Sequence, residues 1–124
     1  MITIEGIAPN MIANNHIAPN MIANNLEPEH LTHPGEVLKE ELEYRGISQR
    51  KFAAQIGVQY TMLNEMLNSK RPVNVQFAML VEAALGIDAE LWIKMQARYN
   101  ILTAKKDKSF AERLAKIRQM AAML

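Results

Sequence analysis

From Pro34 onward, apolar residues recur at helical spacing, and glycines or short polar runs interrupt them. Pro34 suits a first helical position, with His33 just before it. Val37, Leu38 and Leu42 share one face of that first helix, and Gly46 ends it near residue 45. Ser48 is a good N-cap for a short second helix through Ile56, which Gly57 breaks. A third helix is predicted from about Gln59 to Asn68, burying Leu63, Met66 and Leu67. Asn68 to Pro72 reads as a loop. Asn74 caps a fourth helix with Phe77, Leu80, Val81, Ala84 and Leu85 inward, and Gly86 stops it. Asp88 caps a fifth, with Leu91, Trp92, Met95, Tyr99 and Leu102 on one stripe. That stripe is core rather than a platform for a ligand. A polar break follows at Lys105–Lys108. Ser109-Phe110-Ala111-Glu112 then reads as a capping box opening a last amphipathic helix with Phe110, Leu114, Ile117, Ala121 and Leu124. Only Ile2–Ile4 alternates as a strand does, so the pattern is all-α.

The N-terminal stretch reads differently. IAPNMIANN occurs at residues 7–15 and again at 17–25. The copies are too short and too few for a stacked solenoid. Two readings stand: a local duplication in a tolerant tail, or an apolar arm that orders on a partner. Pro9 and Pro19 can each start a helical turn, and residues 26–34 look like a connector. The expected organisation is an N-terminal extension over 1–33, a helical domain over 34–105 and a C-terminal amphipathic helix over 106–124.

Charge refines this division. The 124 residues carry a formal net charge of +1. The extension holds Glu5, Glu27 and Glu29 and no base, while residues 101–124 hold six bases against two acids. A near-neutral total argues against indiscriminate coating of nucleic acid but permits a small basic reading face. The absence of cysteine excludes a disulfide framework and a cysteine zinc site. No apolar run is long enough for a membrane span, and the first residues lack the bases of a signal peptide, so a cytoplasmic protein is expected. There is no glycine-rich phosphate loop and no Ser-His-Asp arrangement, so no enzyme is expected and no cofactor is implied. His30 and His33 have metal-ligand spacing, but Pro28 and Pro34 oppose the helix that pairing needs, so no metal is expected. Glu36, Glu40, Glu41 and Glu43 crowd the first helix, which suits the start of a helix or a surface for a basic partner.

The segment that carries chemistry is Gln49–Met66. Ala53 is small where two helices cross, and Gly57 follows four residues later, where the turn needs positive φ. Ile56 and Val58 flank the turn as core plugs, while Leu63 and Met66 anchor the inner face of the third helix. Gln59, Tyr60, Thr61, Asn64 and Glu65 then point outward, as groups able to reach base edges from a helix in the major groove. This is helix-turn-helix spacing.

The segment resembles the phage-repressor-like (XRE/Cro) helix-turn-helix family in Ser48-Gln49, the IGV turn, Asn64-Glu65, Asn68-Ser69-Lys70-Arg71 and Ala83-Ala84-Leu85-Gly86. His33-Pro34-Gly35-Glu36, Leu91-Trp92 and Gln96-Ala97-Arg98-Tyr99-Asn100 are similar, more narrowly, to HigA-type antitoxins. The likeness covers roughly residues 32–103. It implies a lambda-repressor-like five-helix domain, here with an N-terminal extension and an extra C-terminal helix. It also implies binding to the operator of its own operon and neutralisation of a HigB-type toxin, an mRNA endonuclease that tends to be basic.

Carried over by position, Gln49 contacts a phosphate, and Gln59, Tyr60 and Thr61 approach bases or flanking phosphates. Asn64 bonds adenine bidentately. Glu65 accepts from a cytosine amine or is simply solvated. Asn68, Lys70 and Arg71 clamp the backbone. Tyr60 and Met62 stand where many repressors are more polar, which favours some apolar contact with a thymine methyl. The plainer alternatives are an ordinary exposed Asn64, a solvated Lys70-Arg71 loop, and Arg45, Arg50 and Lys51 facing solvent. A single short recognition helix buries little surface, so a homodimer reading a palindromic operator is expected, its half-sites roughly 34 Å apart. The fifth and last helices are its expected interface; for the last, packing on its own domain is the equal alternative.

Overall fold

The computed structural model describes residues 31–124. The duplicated segment, its expected arm or tail role, the turns expected at Pro9 and Pro19, and His16 and His30 lie outside the described residues. Six helices and no strand occur among the described residues: α1 (Pro34–Arg45), α2 (Gln49–Ile56), α3 (Tyr60–Leu67), α4 (Val75–Leu85), α5 (Ala89–Lys105) and α6 (Lys108–Ala121).

Local capping sets most boundaries. Ser48 Oγ accepts from the Lys51 N–H, Asn74 Oδ1 from that of Phe77, and Asp88 Oδ1 from that of Glu90. Each satisfies a donor that the first helical turn leaves unpaired. At α1 the cap is a histidine. His33 Nδ1 accepts from the Gly35 N–H at 2.9 Å, and Glu36 Oε2 accepts from the His33 N–H at 3.3 Å, a reciprocal capping box with Pro34 in the first turn. Gly35 has a tertiary reason. A Cβ there would lie 1.7 Å from the Met66 carbonyl oxygen, so only glycine lets α1 approach the end of α3 this closely.

The core lies where α1 to α5 converge, with Leu38, Leu42, Phe52, Leu63, Met66 and Trp92 fully buried. Burying each such side chain contributes about 1.5–3 kcal/mol. Polar bonds join distant segments to this core. Buried Gln96 accepts the Val73 N–H at 2.8 Å and donates to Asn100 Oδ1 at 2.9 Å. That pins the segment leading out of α3 onto α5. The Tyr99 ring meets the buried His33 ring edge-on, with centroids 4.9 Å apart. The HPGE and QARYN segments, about 60 residues apart, thus form one joint between α1 and α5.

Three expectations are corrected. Leu80 is exposed rather than inward, because α2 and α5 cover only the Phe77, Ala78 and Val81 side of α4. The last helix opens two residues earlier than its capping box predicts: Asp107, whose side chain accepts the Phe110 N–H at 3.2 Å, is the cap. The glutamates of α1 are not all a surface, since Glu41 is fully buried and pairs with Arg45. Arg45 also donates to the Leu85 carbonyl at 3.3 Å, tying α1 to the end of α4. No residue of α6 is buried; its main neighbour among the described helices is α5, and Phe110 and Ile117 are exposed.

Candidate nucleic-acid interface

The helix-turn-helix is built by α2, the turn at Gly57 and α3. Gly57 has φ 75°, and the following Val58 N–H bonds back to the Ala53 carbonyl at 3.0 Å. That left-handed step is open to glycine without strain. Ala53 is buried at the crossing, and Leu63 and Met66 hold the inner face of α3. Ile56 and Val58 pack, partly buried, against the same core.

The outer face of α3 begins with Gln59, the N-cap. Its side chain makes no capping bond and is exposed. Tyr60 and Thr61 are exposed beside it. The guanidinium of Arg50 lies 4.2 Å above the centre of the Tyr60 ring. Arg50 is exposed, as the solvent-facing alternative has it, but it also stacks. No local signal reveals this, because residues 50 and 60 meet only once the turn forms. Met62 packs against the core instead of sharing a surface with Tyr60. Two residues along a helix is a rotation of about 200°, so Tyr60 and Met62 cannot face DNA together.

One turn further on, Asn64 and Glu65 are half-buried. The Asn64 amide donates to Gln49 Oε1 at 3.0 Å, joining the middle of α3 to the first residue of α2. Glu65 accepts two bonds from Arg71, from Nε at 2.9 Å and from Nη2 at 2.7 Å. The loop after α3 turns through Ser69 at φ 65°, with the Ser69 N–H on the Met66 carbonyl and the Lys70 N–H on the Glu65 carbonyl. This closes the helix in the Schellman manner, with serine where glycine is usual. Asn68 donates to the Asn64 carbonyl at 2.9 Å, so part of its amide caps the helix. Ser69 Oγ reaches Glu36 at 3.4 Å. Lys70 is exposed and makes no ion pair among the described residues.

The structure therefore gathers all eight expected site residues on one surface formed by the N-terminus of α2, the outer face of α3 and the loop after it. Sequence reasoning missed the partners that hold them: Gln49 on Asn64, Arg71 on Glu65 and Arg50 on Tyr60. It named Gly35 and Gln96 only as parts of family motifs, without the close approach of Gly35 to the Met66 carbonyl or the bond from the Val73 N–H to Gln96. Among the described residues, no group of three acidic or histidine side chains is arranged to hold a metal, and no helix is long and apolar enough to cross a membrane.

Known proteins share this arrangement. A family model described as helix-turn-helix (HTH_3) matches residues 38–92. Virulence-associated protein I of Dichelobacter nodosus is 34% identical over 77 residues, 61% of this chain and 71% of that protein. The structure of an addiction module antidote protein of the HigA family from Coxiella burnetii superposes with a TM-score of 0.63 at 26% identity, covering 70% of this chain and 94% of that one. The Pseudomonas aeruginosa antitoxin HigA, solved with the higBA promoter, shares the fold with a TM-score of 0.60 at 23% identity, covering 73% and 94%. The family and fold are those of DNA-binding helix-turn-helix antitoxins and regulators, not of enzymes. With its capped helices, its glycine turn and an outer α3 face of amides and hydroxyls, the chain belongs to the XRE-type helix-turn-helix family and is of HigA type.

Proposed function

We propose that this protein is the antitoxin of a HigBA-type module: a dimeric, cytoplasmic autorepressor that also neutralises an mRNA-cleaving toxin. One observation carries the DNA-binding half. The polar outer face of α3 is exposed beside Gln49 at the start of α2 and Lys70 in the loop, which is what a helix in the major groove needs for bases and flanking phosphates. Gln59, Tyr60, Thr61 and Asn64 approach base edges. Gln49, Asn68, Lys70 and Arg71 serve the backbone. The reading unit is residues 34–105, and the C-terminal segment 106–124, which holds α6, pairs two copies on a palindromic operator.

The toxin half is supported by likeness to the HigA-family antidote protein and by the outer face of α1. Glu36, Glu40 and Glu43 line a shallow groove there with Lys39 and the end of α3. Its acidic character suits a basic toxin.

The test is capture of the tagged full chain from its native host, with partners identified by mass spectrometry. A stoichiometric small basic protein that cleaves mRNA when free is expected. Self-association alone, with the toxin frame expressed, leaves a stand-alone repressor. Loss of binding to its own promoter in Thr61→Ala plus Asn64→Ala is expected in either case, and unchanged promoter binding overturns both.

A further inference from the structure

We infer that Arg50, held over the Tyr60 ring, is a specificity-determining residue that reads a guanine where the start of α3 meets the half-site. The inference rests on the operator-binding reading above and adds to it a base-reading side chain from α2. Arg50 is the second residue of α2, and Tyr60 is the first of α3. Both are exposed, and the Arg50 guanidinium carbon lies 4.2 Å from the centre of the ring. The contact brings a cation of α2 to the end of the recognition helix whose first residues face base edges.

The donors of Arg50 are unspent. A guanidinium has five N–H donors, and that of Arg50 gives none of them to an acceptor among the described residues. Arg71, in the loop after α3, is the contrast, since it spends Nε and Nη2 on Glu65. Attraction to the ring uses the charge of Arg50 and not its N–H groups. It also restricts where the guanidinium sits, so less side-chain freedom is left to lose on binding. The result is a planar fork anchored at the start of the recognition helix, with its donors left for a ligand. Two N–H donors side by side call for two acceptors side by side. In the major groove guanine has them, at N7 and O6. Adenine sets its N6 donor against one of the two, thymine offers a single acceptor and cytosine a donor. A phosphate accepts the same fork, but the ring that holds Arg50 belongs to the residue that opens the recognition helix.

The experiment is selection of binding sites by the full chain from a randomised duplex library, followed by titration of single-base variants. Arg50→Ala identifies the position, as the one in each half-site where preference disappears. There the wild type is expected to favour G·C over A·T by about tenfold or more. Arg50→Lys keeps the charge without the fork; it is expected to reduce that preference to about threefold or less while the other positions keep theirs. Tyr60→Leu removes the ring and is expected to weaken the same preference by about threefold. Tyr60→Phe keeps the ring face and is expected to retain it. A general loss of folding would lower all positions together, so a loss confined to one position reads the fork. An Arg50→Ala variant that weakens all sequences alike makes Arg50 a phosphate contact only; it overturns the inference and leaves operator binding standing. An Arg50→Ala variant that alters no position, one that loses preference for a base other than guanine, or an intact guanine preference in Tyr60→Leu does the same. A wild type that selects no sequence overturns both.

Discussion

Lys70 and Arg71 are neighbours in one loop, yet their charges are spent differently. Lys70 is exposed and makes no ion pair among the described residues, whereas Arg71 already holds Glu65 through two nitrogens. Lys70→Ala is expected to weaken all DNA alike and lower the slope of log affinity against log salt by about 1. Arg71→Ala exposes a carboxylate on the reading helix, so about fivefold of affinity is expected to disappear by repulsion. Adding Glu65→Gln restores most of it. Salt titrations of the three variants check this; an Arg71→Ala loss that Glu65→Gln does not restore assigns the whole loss to the phosphate contact of Arg71 rather than to its hold on Glu65. Gly35 argues at the same scale. A side-chain carbon at this position would lie 1.7 Å from the Met66 carbonyl oxygen, so Gly35→Ala forces α1 away from α3. A loss of about 3 kcal/mol or more in urea denaturation is expected. The sequence marks Gly35 only as part of the His33-Pro34-Gly35-Glu36 motif that carries the family likeness. Its necessity comes from a carbonyl on a different helix, which no local pattern encodes.

Helix boundaries are legible where the signal is local. Ser48, Asn74 and Asp88 cap as their sequence context predicts, because a cap and its acceptor lie within three residues. The start of α6 is not legible in the same way, because two adjacent signals compete: the Ser109–Glu112 box and Asp107 just before it. The carboxylate takes the Phe110 N–H first. Asp107→Ala is therefore expected to cost α6 about 1 kcal/mol, read as roughly fivefold faster amide exchange, while Ser109→Ala leaves exchange unchanged. The reverse ranking restores the predicted box. The cap of α1 adds a pH dependence. Burial pushes the His33 pKa below its usual 6.5, with Glu36 opposing. Unfolding therefore releases a histidine that binds a proton more readily, so stability is intact above pH 6.5 and falls as pH drops from there through the folded-state pKa. His33→Ser keeps a cap acceptor without titrating. Its urea midpoint is expected to fall less than the wild type's below pH 6.5, and parallel profiles would assign the acid loss elsewhere.

At the scale of the whole molecule, the fold is legible in the sequence and the assembly is not, for one physical reason. Helical periodicity reports which face of an element is apolar, not whether its own chain or another copy covers it. The apolar positions of α1 to α5 find each other, but α6 buries nothing, and Ile117 is 52% exposed. Ile101 of α5 and Met120 of α6 are exposed as well. A second copy on this surface pairs two reading heads, as the proposed dimer requires. The six bases in residues 101–124 repel one another across such a contact and limit its strength, so one charge within the stripe is expected to break it. Ile117→Glu is expected to give a monomer by sedimentation with an unchanged thermal midpoint at low protein concentration, since no core residue is touched. Its operator affinity is expected to fall about 100-fold or more as the two half-sites become independent. Its affinity for an isolated half-site is expected to remain that of the wild type, which separates lost pairing from a damaged reading head. A dimeric Ile117→Glu with full operator affinity moves the interface to a second exposed apolar surface among the described residues, Val75, Met79 and Leu80 on α4. In that arrangement α4, not α6, sets the distance between the two recognition helices.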